Sequence, residues 1–167
     1  MHSFSDLVSY ATNLIMGDIS LRNARICDEL QTTGTTSLVI GLQTLQMQRA
    51  ILVTGMFSMF EAELQTMLSC QYGFEECKRI LGEKGETKLK SEFQFFIWAV
   101  NTLKHGKGNS YDNLVKNIEE LPFVIKSPGE NFFFEGDVGE IQTLVEVDDR
   151  FVYGCAELIR KIMAVIE

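Results

Sequence analysis

Gln94, Trp98, Asn101 and His105, spaced by four, three and four residues, are the side chains of this sequence best suited to chemistry. On a helix those spacings form one stripe. Histidine moves protons near neutral pH, and the C-terminal end of a helix favours a cation. Lys104 and Lys107 flank His105 and can hold an anion such as a phosphate. Gly106 and Gly108 leave the backbone open to close approach. A histidine among lysines meets the needs of phosphodiester cleavage by a neighbouring ribose hydroxyl: a proton shuttle, and a cation for the developing charge. The same residues also have a plainer reading. A histidine at a helix end serves as a cap, and a tryptophan beside an amide and an imidazole suits a subunit interface. Both readings remain open at the level of residue type.

The elements that must position the stripe read as helices. The clearest covers 86–105, where Leu89, Phe93, Phe96, Ile97, Val100 and Leu103 make one apolar face opposite the stripe. Gly106 supplies its left-handed C-cap. Upstream, Leu7, Leu14 and Leu21 with Ile15, Ile19 and Ile26 predict a helix over 5–30 that turns them to one side. A polar break at 32–36 contains Gly34. A long helix then covers 37–71, with Gly41 and Gly55 marking a kink or a close helix contact. Gly73 ends it, and a short helix covers 74–81. Ser110 N-caps another short helix as far as Leu121, which Pro122 stops. Asp148 caps a last helix over 149–166. Between these two, Phe123–Ile125, Phe132–Phe134 and Thr143–Val147 are β-like runs separated by turn residues. The expected fold is mainly α: one domain over 1–167, an up-and-down bundle of four to five helices with a small β-like insertion near 123–147.

Composition narrows the function classes. The chain has 167 residues and a formal net charge of −8, so bulk positive charge cannot attach it to nucleic acid. Lysines 84, 88, 90, 104 and 107 nevertheless fall close together in sequence, against only Glu86 and Glu92. The cysteines at 27, 70, 77 and 155 form no CxxC pair and read as reduced core residues. Neither His2 nor His105 has a glutamate three residues before it, which excludes a di-iron bundle. There is no phosphate-binding Gly-x-x-x-x-Gly-Lys loop, no Gly-x-Ser-x-Gly elbow and no His-Glu-x-x-His pair. No metal and no cofactor are therefore expected. No signal peptide and no membrane-length apolar run are found, so the expected setting is the cytoplasm, away from membranes.

The run Val100-Asn-Thr-Leu-Lys-His105, near the end of a late helix, resembles the signature of the HEPN families (higher eukaryotes and prokaryotes nucleotide-binding domains). In those families an arginine precedes a polar residue, usually asparagine, followed by three residues and a histidine. Phe57-Ser-Met-Phe60-Glu61 on the long helix is similar to an aromatic stretch with a glutamate in several branches. The resemblance covers most of the chain in helix order and about a dozen residues in motif. It implies a bundle that dimerises, brings two motif helices over a metal-independent RNA-cleaving site, and serves in defence or toxin–antitoxin pairs. By position, Asn101 would be the polar motif residue and His105 the catalytic histidine; from the residues themselves, Lys104 and Lys107 are the candidate phosphate contacts, and Glu61 and Trp98 the candidate supporting residues. Glu61 shares a polar stripe with Thr54, Ser58 and Gln65 that could face and orient the Asn101 helix. Val100 stands where the motif has arginine. Either a lysine substitutes, or cleavage is lost and binding remains.

Two other readings compete. Asn101-Thr-Leu-Lys-His105 also resembles the asparagine box of histidine-kinase ATPase domains, but Asp137-Val-Gly139 is followed by Glu140 and Ile141, which leaves the later box incomplete. A non-catalytic interaction subunit would instead use Trp98 and the insertion as contact surfaces for a protein partner.

Overall fold

The computed structural model describes residues 2–167. Six α-helices are present among them: α1 (Phe4–Leu30), α2 (Thr36–Met67), α3 (Gly73–Glu83), α4 (Thr87–His105), α5 (Asn109–Lys116) and α6 (Asp149–Ile166). The architecture is the expected mainly-α bundle. The six are the elements read from the sequence, four long helices and the two short ones α3 and α5, so the bundle of four to five helices is reached when the short elements are not all counted. No helix among the described residues is long and apolar enough to cross a membrane.

Caps decide where several helices begin. Ser3 and Asp6 form a reciprocal capping box at α1. The Asp148 side chain accepts from the Phe151 N–H at 2.7 Å and starts α6. Ser110, by contrast, lies inside α5, whose N-cap is Gly108. The long α2 stops at Met67, before Gly73 is reached. Gly73 begins α3. The reason is steric: a Cβ on Gly73 would lie 2.7 Å from the Glu61 carbonyl oxygen and 3.0 Å from the Leu64 Cβ. The glycine is needed for α3 to sit down on α2, not for a cap. Gly73→Ala should cost about 1–3 kcal/mol by overpacking, read as a lower midpoint in chemical denaturation.

Aromatic residues bind the helices together. Phe96 of α4 stacks on Phe151 of α6 with ring centroids 5.5 Å apart, and Phe123 meets both rings edge-on. Phe60 of α2 packs on Phe93 of α4 at 5.9 Å, and Phe93 meets Phe74 of α3 at 5.3 Å. Such pairs add to the burial of the rings themselves. A semi-buried ion pair, Arg49 of α2 with Asp149 at 2.9 Å, ties the start of α6, next to Phe151, to α2.

Three expectations are corrected. First, α1 does not bury its leucines. Leu7, Leu14 and Leu21 are 56%, 72% and 75% exposed, while Thr12, Met16 and Ile19 face the core. Secondly, the insertion forms no strand among the described residues. Its β character is one antiparallel bridge, Ile125 with Val145, supported by the Lys126 N–H to the Leu144 carbonyl at 2.9 Å. What orders it is a buried ion pair. Lys126 Nζ lies 2.6 Å from Glu140 Oε1, and Glu140 also accepts from the N–H groups of Phe133 and Phe134. The Tyr111 hydroxyl donates to the Lys126 carbonyl at 2.7 Å and ties the insertion to α5. Thirdly, only Cys77 and Cys155 are core thiols. Cys27 is exposed and Cys70 half-buried. Burial pushes the Cys77 thiol up to about 12, which makes it inert.

Candidate functional site

The apolar face of α4 determines where its polar side can point. Phe93, Phe96, Ile97 and Val100 are buried in the core, and this fixes the rotation of the helix about its axis. Asn101 and Lys104 then line a cleft of about 270 Å³ with Ser58 and Glu61 of α2, Tyr72 before α3, and Phe74 and Glu75 of α3. Phe57, Ile97 and Val100 supply its apolar lining. Asn101 and Glu61 are half-buried, whereas Lys104 is exposed. Three of the sequence candidates, Glu61, Asn101 and Lys104, thus meet at one place.

The others do not join them there. His105 is the last residue of α4 and is exposed, beside the cleft and outside its lining. Gly106 follows with φ +72°, the positive-φ cap that glycine supplies. Lys107 opens onto a different cleft of about 630 Å³, walled by the insertion residues Lys126, Glu130, Phe132 and Glu140. Trp98 is half-buried, packs against the core and lies 6.1 Å from the Phe95 ring. It lines neither cleft. Gln94 is drawn toward α3, accepting from Lys78 Nζ at 2.7 Å.

The charge of the site is nearly balanced. Glu75 is paired with Lys78 at 2.7 Å, which leaves Lys104 facing Glu61. The basic segment seen in sequence is divided in space. Lys84 caps the end of α3, and Lys88 and Lys90 stand in the first turn of α4, roughly 22–26 Å along the helix from His105 at its far end. Lys84 donates to the Val165 carbonyl at the end of α6. Among the described residues, Lys104 is the one cation on the lip of the cleft, and it has no ion-pair partner; Tyr72, Phe74 and Phe57 make an aromatic wall. That suits a ligand held by stacking and a single anionic contact better than one held by bulk charge.

Val100, at the position where the HEPN motif has arginine, is 4% exposed. No family model, no curated protein and no solved structure matches this chain. The resemblance rests on the α2 and α4 residues alone. Tyr72 and Phe74, which the sequence reading missed, complete the cleft. Their signal was an aromatic pair around Gly73 at a helix junction.

Proposed function

We propose that this chain is a HEPN-like, cytoplasmic, homodimeric protein of a prokaryotic defence or toxin–antitoxin system whose α2–α3–α4 cleft binds RNA, one nucleotide at a time. The observation that supports this reading is the meeting of Glu61, Asn101 and Lys104 beside the exposed ring of Tyr72. Single-stranded bases stack on aromatic rings and are read along their edges by amides and carboxylates. Here Tyr72 is the stacking surface, Asn101 and Glu61 are the edge readers, and Lys104 takes the phosphate. The cleft is near the lower limit for small-ligand sites, roughly 300 Å³, which suits a single nucleotide unit.

The buried Val100 favours binding over cleavage, because it leaves no cation on that side of Asn101 for the transition state. His105 remains the group that would move a proton if cleavage occurred. The test is incubation of purified protein with total RNA in EDTA, alongside titration of a labelled single strand. Intact RNA and saturable binding, lost in Asn101→Ala, are expected. RNA cut in EDTA, with cutting abolished in His105→Ala, would make the protein a metal-independent endoribonuclease instead. Absence of binding would remove the RNA reading altogether.

A second reading, an interaction subunit without RNA chemistry, is favoured by the acidic net charge and by the exposed Phe132 and Phe134 of the insertion, 59% and 61% accessible.

A further inference from the structure

We infer that α1 pairs antiparallel with the α1 of a second copy of this chain, through Leu7, Tyr10, Leu14, Gly17, Leu21 and Ala24. These six residues recur at spacings of three and four, the seam pattern of paired helices. They lie on the side of α1 away from Thr12, Met16 and Ile19, which face the core. Leu7, Tyr10, Leu14 and Leu21 are 56%, 80%, 72% and 75% exposed, and nothing in the chain covers them among the described residues. No charged residue interrupts the seam.

Gly17 leaves the seam open to close approach by another helix. A Cβ built there meets nothing within 4 Å. Glycine weakens a helix interior relative to alanine, and no contact within the chain requires it at this position. On the exposed seam it makes the one place where another helix can come close.

The partner is a second copy because the seam matches itself. When two α1 helices run antiparallel with Leu14 level with Gly17 of the other copy, Tyr10 stands level with Leu21, and Leu7 with Ala24. The reciprocal contacts follow from two-fold symmetry. Large side chains meet small ones at the ends and beside the axis, and the two largest side chains share the remaining level. Beside the seam, Asn13 comes near Ser20 and Ala11 near Asp18, so no like charges are opposed. The area agrees. One tyrosine and three leucines at these exposures offer on the order of 500 Å² of apolar surface. That is about the apolar share of a standard 800 Å² interface half. The polar outer side of α4, with Asn101, Lys104 and His105, offers no comparable area.

This α1 pairing is the interface of the proposed homodimer and departs from the arrangement the resemblance implies, in which the two α4 helices meet; it does not depend on the RNA reading. Sedimentation equilibrium of the full chain between about 1 and 100 µM tests it. Wild type should sediment at twice 18.9 kDa. Leu14→Glu and Gly17→Phe should each weaken the dimer at least about 30-fold, the effect of losing an interface hot spot. Both should keep the wild-type circular dichroism, because Leu14 is 72% exposed and a Cβ at Gly17 meets nothing within 4 Å. Asn101→Ala should leave the mass unchanged. If a variant loses helix content, a mixture of Leu14→Cys and Gly17→Cys chains in a Cys27→Ser background decides the matter. Oxidation should then yield the mixed covalent dimer in preference to either like pair, and no such preference overturns the proposal. A wild-type monomer at 100 µM overturns it, as does a dimer that both seam substitutions leave intact. A monomer whose α1 instead binds phosphatidylcholine–phosphatidylglycerol vesicles would assign the seam to lipid and overturn it as well.

Discussion

Lys126→Met should destabilise the protein by about 3–5 kcal/mol, the cost of leaving one charge of a buried pair without its partner. Lys126 and Glu140 expose only 4% and 9% of their side chains. With the ammonium gone, the Glu140 carboxylate keeps only the N–H groups of Phe133 and Phe134. A loss of that size lowers the melting temperature by roughly 10 °C for a domain of this length. Replacing both residues, Lys126→Met with Glu140→Leu, should cost less, because no charge remains buried. The part-buried Phe133 N–H then lacks an acceptor, at about 1–3 kcal/mol, while the exposed Phe134 N–H turns to water.

The same pair sets a pH dependence. Burial pushes the Glu140 carboxyl up, but the Lys126 hydrogen bond and the Phe134 and Phe133 N–H groups together outweigh it, so its pKa lies below the ordinary 4.5. A depressed carboxylate contributes stability above its unfolded value and loses it as pH falls through the folded one. Glu146 opposes this. Burial first, then Asp148 and Glu140, raise its pKa above 4.5, so its contribution is present at low pH and lost as pH rises through the folded value. The gap in melting temperature between wild type and Lys126→Met should therefore narrow between pH 7 and pH 3. An equal gap at both pH values would show that the pair does not hold the insertion.

Tyr72→Ala should weaken binding of a single-stranded RNA by about 5- to 150-fold, the usual worth of one base stacked on an aromatic ring. Tyr72 is 65% exposed and stands on the cleft wall, so its loss should leave the melting temperature nearly unchanged. Electrostatics supplies a separate readout. One free lysine on the cleft predicts a shallow slope of log affinity against log salt, about −0.7 for a single phosphate contact. Lys104→Ala should flatten that slope, and Lys107→Ala should leave it unchanged, because Lys107 opens onto the other cleft. Fluorescence anisotropy over a salt series reads both effects. A steep slope insensitive to Tyr72 would move RNA off the cleft and onto the protein's outer charges.

The sequence by itself determined the helical class, the extent of α4 and its inward face. Phe93, Phe96, Ile97 and Val100 keep one period against a polar opposite side, and only one rotation of such a helix buries them all. It also determined the Asp148 cap, a local matter of one side chain and one N–H group. Other features were decided by the tertiary structure. α1 carries two apolar stripes, and periodicity cannot tell which one its neighbours will cover. The basic segment was a neighbourhood in sequence only, since a straight helix holds its two ends apart. The aromatic runs of the insertion had the composition of strands. Pairing needs a facing edge, however, and the Lys126–Glu140 contact and one bridge took its place. The cleft depends most on the fold, because it exists only where a glycine lets α3 lie against α2 and bring Tyr72 toward Asn101.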